Sequence, residues 1–373
     1  MPRRVRAEES TIDRAGESRA TPGSASAAAT TPWGACLRAT WSIDVSSAVP
    51  LPGRHAVAVD VIVPRALADG GAPPEGPVVL VCLPGGFLSR RYFDLDPGGR
   101  DGYSFAEAMA ARGFVTLAFD HLGTGDSTRP DPPEQGYALG VEALAAIQQA
   151  ALERALERLA EGDPAAGLPP LRCAATVGVG HSMGSVLTVE HQALARAHRA
   201  LVLFSFTTRG VPRFLNEDQR RHAGDPVRAR RELGELARRS FGTPYPERAN
   251  DSGPDRRAGF GVGTEPPFAE ELLHGAATNL LGLAGLLSMI PGGYAPAAEK
   301  IDVPVFVLVG DHDLHDATGL REELPSAPSV TTRTLADCWH CHLVANDRET
   351  IGREVADWIR TTLADRRPEE DTA

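Results

Sequence analysis

The residues best suited to do chemistry are Gly180-His181-Ser182-Met183-Gly184, a G-x-S-x-G pentapeptide. It follows an apolar, strand-like stretch at 175–180 and opens a helix-like segment at 184–197. A serine on such a strand-to-helix turn stands in strained backbone geometry with its hydroxyl exposed. Its neighbours must be small, because a Cβ there collides with the adjoining strand and helix. The N–H groups that open the helix favour negative charge beside the serine. The chemistry these residue types support is nucleophilic attack by Ser182 on an acyl carbonyl.

A serine hydroxyl needs a base, and the base needs an orienting acid. Gly310-Asp311-His312-Asp313 follows the apolar run 303–309, and carboxylates beyond a strand's C-terminal end lie at the edge where such sites are built. Asp313, which projects from the loop past the glycine, is preferred as the acid, with Asp311 supporting the turn. Ser205-Phe206-Thr207-Thr208, after another apolar strand, contains no acid. The base is sought in Cys338-Trp339-His340-Cys341-His342, after the last strand. His340 lies nearer the start of that loop and is preferred. His342-Leu343-Val344-Ala345 begins the packed approach to the last helix, so His342 is expected to pack or to support. His181 is expected to point away from the serine.

The same pentapeptide matches C-x-x-C-H, the attachment motif of c-type haem. Haem would leave the serine turn and the Gly310–Asp313 loop unexplained, and it goes with export, for which no apolar leader segment is visible. A zinc or redox role for Cys338 and Cys341 is likewise a minor alternative.

An oxyanion hole needs two backbone donors. The N–H of Met183 is one candidate. Leu83-Pro84-Gly85-Gly86-Phe87 supplies the other, from Gly86 first and Phe87 second, because adjacent glycines let the backbone approach a carbonyl closely. Asp120-His121-Leu122-Gly123-Thr124-Gly125-Asp126-Ser127 reads as a structural loop beside the site, with Asp120 forming the turn.

These loops must hang on a scaffold. Segments 37–45 and 55–63 alternate apolar and polar residues, as in an antiparallel pair at a sheet edge. Runs at 78–83, 114–119, 175–180, 201–206 and 303–309 suit strands buried on both faces, with a short last strand at 330–335. Helical patterns fall at 105–112, 141–159, 184–197 and 349–363. This alternation predicts an α/β fold, a mostly parallel sheet with helices on both faces. Residues 208–300 break the rhythm with an Arg-rich helical pattern at 228–239, a Gly/Pro-rich loop at 243–267 and an apolar helix at 269–290. They are too long for an ordinary loop and read as a helical cap. The core is then 32–207 with 301–365, and 1–31, almost free of large apolar side chains, is expected to be a disordered tail. Within the cap, 280–289 could give an apolar wall to the substrate and 228–239 a charged rim.

Composition narrows the function. Hydrophobic residues make up 42% and charged ones 23%, as in a soluble globular protein. A net charge of −11 repels phosphate backbones, which argues against nucleic acid as a partner. No apolar run is long enough for a bilayer, so no membrane role is expected. Five scattered cysteines make no disulfide framework and point to a reducing, cytoplasmic setting.

In this order, Pro84-Gly85-Gly86, Asp120 to Ser127, the Ser182 turn, Gly310 to Asp313 and His340 resemble the α/β-hydrolase family, across residues 37–363. Leu83-Pro84-Gly85-Gly86 with Arg90-Arg91-Tyr92, and the ending His340-Cys341-His342, look like capped bacterial members. The resemblance implies the α/β-hydrolase fold, a Ser182–His340–Asp313 triad with the base on the loop before the last helix, and no cofactor. The sequence departs from the pattern at Pro84-Gly85, where His-Gly is commoner, and at Trp339, where glycine often precedes the base. Members that open epoxides or haloalkanes carry aspartate at the serine's position. The expected activity is cleavage of an ester, thioester or lactone of a small acyl substrate through an acyl-enzyme. Acyl transfer by the same triad and a non-catalytic ligand-binding relative are the alternatives; carbon–carbon hydrolysis by serine also remains open.

Overall fold

The computed structural model describes residues 36–71, 73–99, 101–248 and 264–364. The tail expected at 1–31 and part of the Gly/Pro-rich loop, 249–263, lie outside the described residues.

Eight strands form one sheet: β1 (Cys36–Asp44), β2 (Ala56–Pro64), β3 (Val78–Leu83), β4 (Val115–Phe119), β5 (Ala175–His181), β6 (Ala200–Phe204), β7 (Val305–Gly310) and β8 (Val330–Leu335). Their order is β1-β2-β4-β3-β5-β6-β7-β8. The alternating pair β1 and β2 is antiparallel, and β2 joins β4 antiparallel; every pairing from β4 to β8 is parallel. Among the described residues, the α-helices of six or more residues are α1 (Phe105–Ala110), α2 (Val141–Glu161), α3 (Met183–Ala195), α4 (Pro226–Phe241), α5 (Pro267–Gly275), α6 (Gly282–Met289) and α7 (Arg348–Ala364).

Successive side chains on a strand face opposite sides, so each central strand feeds two cores. Val79, Val81, Leu203, Val305 and Val307 pack with α2 and α3 on one face. Leu80, Cys82, Val202, Phe204 and Phe306 pack with α1 and α7 on the other. That is why these strands read as unbroken apolar runs, whereas edge strand β8 exposes Thr331 to Thr334. The layering is the doubly covered, mostly parallel sheet expected.

One expectation fails. The apolar stretch 269–290 is two helices, α5 and α6, separated by an extended segment. There Ala277 pairs with Leu88, the Thr278 N–H donates to the Phe87 carbonyl at 2.9 Å, and the Leu280 N–H donates to Pro246 at 2.9 Å. These external backbone partners replace the helical i→i−4 bonds that the apolar composition alone suggested. No helix among the described residues is long and apolar enough to cross a membrane.

Candidate active site

All the candidate loops leave the C-terminal edge of the parallel strands. At the end of β5, Ser182 has φ +53° and ψ −120°, in a region an L-residue seldom occupies. Its N–H donates to the Phe204 carbonyl on β6 at 2.8 Å, which helps hold the strain. The small neighbours are required sterically. A Cβ on Gly180 would run into the Cα of Ser185, and one on Gly184 into the Leu83 carbonyl oxygen.

The His340 Nε2 lies 2.8 Å from the Ser182 hydroxyl, and His340 Nδ1 lies 2.7 Å from Asp313 Oδ1. The second oxygen of Asp313 is 3.0 Å from His342 Nε2. Both imidazoles therefore donate to the carboxylate, because an ionised carboxylate only accepts. The His340 Nε2 is then free to accept the Ser182 proton. The Asp313 side chain has no solvent exposure. Burial alone would raise its pKa, but the electrostatic interaction with His340 and the bonds from both imidazoles outweigh that and hold the carboxyl well below its usual range.

The other carboxylate, Asp311, accepts the N–H groups of Asp337 and Cys338, each at 3.0 Å, and so ties the β7 loop to the loop carrying His340. His181 turns under the site, where its Nε2 lies 2.8 Å from the His340 carbonyl and its ring packs 4.5 Å from Tyr92. Burial, with the two neighbouring imidazoles, pushes its pKa well below the ordinary histidine value.

On the other side of Ser182 is the loop after β3. A Cβ on Gly85 would come within 3.1 Å of the Ser182 Cβ, and one on Gly86 within 2.6 Å of Leu280. Phe87 has φ +62°, in the left-handed region. The N–H of Met183 opens α3, where the first turn has no intrahelical acceptor. Gly86 and Met183 are neighbours, since that same Cβ would meet the Met183 sulfur at 3.9 Å. His121 steadies the loop through Pro84, its Nε2 2.9 Å from that carbonyl, and burial lowers its pKa to about 4.

Two expectations need correction. Asp120 does more than shape a turn: it is fully buried and accepts the Arg90 N–H at 2.7 Å, the Arg90 guanidinium at 2.5 Å and the Asp126 N–H at 2.8 Å. The arginines of 228–239 form no free rim. Arg230 reaches Glu190 on α3 at 2.8 Å and Glu142 on α2 at 2.5 Å, while Arg228 and Arg239 pair with Glu232 and Asp218. Cys338 and Cys341 are buried in the α7-side core, where desolvation pushes the Cys341 thiol up to about 12.

Sequence reasoning missed Ser205 and His315. Ser205, just past β6, has φ +58°. Its hydroxyl lies 3.0 Å from Asp313 Oδ1, 3.0 Å from His340 Nδ1 and 3.1 Å from His315 Nε2. Its place at a strand's C-terminal end is the signal the sequence carries, although the segment offers no acid.

The chain belongs to the alpha/beta hydrolase family, whose sequence model matches residues 80–353. Among solved structures, it is similar to an esterase from Exiguobacterium antarcticum at 11% identity, TM-score 0.53, covering 82% of this chain and 96% of that one. It is also similar to Rv0554 from Mycobacterium tuberculosis at 16% identity, TM-score 0.51, covering 87% and 99%. Est1E from Butyrivibrio proteoclasticus, solved with ferulic acid bound, matches at 14% identity, TM-score 0.49, covering 87% and 99%. At such identities the likeness is one of fold. No curated protein sequence matches the chain.

Proposed function

We propose that the protein is a serine hydrolase that cleaves an ester, thioester or lactone of a small organic molecule through an acyl-enzyme. The observation that carries this reading is the unbroken chain from the Ser182 hydroxyl through His340 to Asp313, at 2.8 and 2.7 Å. In this mechanism Ser182 Oγ attacks the carbonyl carbon while His340 Nε2 takes its proton. The N–H groups of Met183 and of Gly86, or of Phe87 beside it, receive the developing oxyanion. The bond to the leaving group breaks as His340 returns the proton to it. Water, deprotonated by the same imidazole, then attacks the acyl carbon, and His340 passes that proton to Ser182 Oγ as the acid departs. Asp313 holds the His340 tautomer and stabilises its charged form. In the same reading the chain divides into a core, 32–207 with 301–365, and a cap, 208–300. The scattered, odd cysteine count favours a reducing, cytoplasmic setting. The test is covalent labelling by a fluorophosphonate, mapped by peptide mass, with turnover of p-nitrophenyl esters, acyl thioesters and lactones. Label on Ser182 that disappears in Ser182→Ala is expected; a folded protein that neither labels nor turns over any of them overturns the reading.

A further inference from the structure

A cavity of about 40 Å³ begins at Ser182 and runs between the end of β6 and the start of the inserted segment. Val186, Val211, Ser288 and Leu314 wall it, and Ser205 and His315 close its polar side. From these contacts we infer that the cavity is the acyl site of the reaction and admits a short, uncharged acyl group of about two to four carbons. The inference rests on the serine-hydrolase reading given above and specifies its substrate.

Size is the first argument. One water needs about 10–15 Å³ of such space, so 40 Å³ takes about three waters, or three to four heavy atoms. Val186 lies one helical turn beyond Ser182 on α3 and is 3% exposed, so this wall cannot give way cheaply. On the cap side the wall is Ser288, not the leucines of α6; Leu286 is fully buried elsewhere in the core.

Polarity is the second argument. The polar groups at the cavity already have partners. Ser205 and His315 are 3.1 Å apart, and the Ser288 hydroxyl donates to the Gly285 carbonyl at 2.7 Å. Burial keeps the His315 pKa below its ordinary value. No lysine or arginine is among the described residues that line the cavity, so a carboxylate-bearing acyl group would enter without a counter-charge.

Position decides which half of the substrate it holds. The acyl carbon stays bonded to Ser182 until deacylation, while the leaving group departs once His340 protonates it. A packed cavity that starts at the serine suits the half that stays.

The experiment measures kcat/KM for p-nitrophenyl acetate, propionate, butyrate, hexanoate and octanoate, and for acetates of alcohols of increasing length. Short acyl groups should lead octanoate by about tenfold or more, with little dependence on alcohol length. Ser288→Leu should cut butyrate relative to acetate by about tenfold, and Leu314→Ala should move the optimum up by one or two carbons, with circular dichroism confirming the fold. A preference for octanoate, a length limit that follows the alcohol instead, or an unchanged profile in both folded variants overturns the inference. Ser182 labelling by a fluorophosphonate separates the two levels. A labelled enzyme with the wrong chain-length profile overturns only the acyl site; absence of label and turnover together overturns the serine mechanism and this site with it.

Discussion

The loops at the C-terminal edge of the sheet and the segment between β6 and β7 are held by different kinds of contact. The Ser182 turn is fixed by the Phe204 carbonyl and by two glycines that cannot bear a Cβ. Asp311 ties the β7 loop to the His340 loop, and His121 ties the β3 loop from below. The inserted segment meets the core through Arg230 on Glu190, through the extended residues around Ala277, and through Asn279, whose side chain bonds the Gly123 carbonyl at 3.0 Å and the Arg129 guanidinium at 2.6 Å. The first region is positioned from inside the sheet, where displacement costs packing. The second packs on α3 through buried residues such as Leu286, Leu287 and Tyr294, and its polar fastenings to the loops are each replaceable. The sheet edge should therefore control whether bonds break, and the insertion which molecule presents them.

Mutations can break that division. Ser182→Ala and His340→Ala should each lower kcat by about four to six orders of magnitude in a folded protein, read by active-site titration. Asp313→Asn should cost about 10⁴ in kcat, because the amide no longer holds the tautomer that accepts the serine proton, whereas Asp311→Asn should cost less than about tenfold. If Asp311→Asn is the more damaging, the carboxylate roles are reversed. His342→Ala removes one charge-assisted bond from Asp313 and should lower kcat by about 10- to 100-fold. Loss of acylation in His342→Ala but not in His340→Ala would exchange the two histidines. At the insertion, Arg230→Met should leave kcat within a few-fold and lower unfolding stability in urea by about 1–3 kcal/mol, since Glu190 loses a bidentate partner. A hundredfold loss of kcat there would show that the insertion shapes the chemistry and not only access to it.

The same contrast explains what the sequence disclosed. Central strands such as β3 and β5 declare themselves because burial on both faces demands unbroken apolar runs. The small residues flanking Ser182 are legible because the turn tolerates nothing else. Partners chosen across long chain separations are not legible. The extended break at 276–281 follows from bonds to Phe87 and Pro246, and nothing in its own composition announces it. Arg230 looks like any other arginine of an Arg-rich helix until Glu190 and Glu142 stand opposite. Ser205 escaped because its role comes from a positive φ and from three neighbours on two other loops.

Three imidazoles, those of His181, His340 and His342, have ring centres within 6.5 Å of one another around the single carboxylate of Asp313. Each has committed one N–H: His181 to the His340 carbonyl, the other two to Asp313. The bare Nδ1 atoms of His181 and His342 are buried and have no hydrogen-bond partner among the described residues. Only His340 Nε2 opens on a group that can supply a proton. The cluster thus has one entrance for a proton, His340 Nε2 facing the Ser182 hydroxyl. Rates measured in mixtures of light and heavy water should accordingly fall linearly with deuterium fraction, as for one proton in flight, and a bowed curve would mean that a second site shares the load.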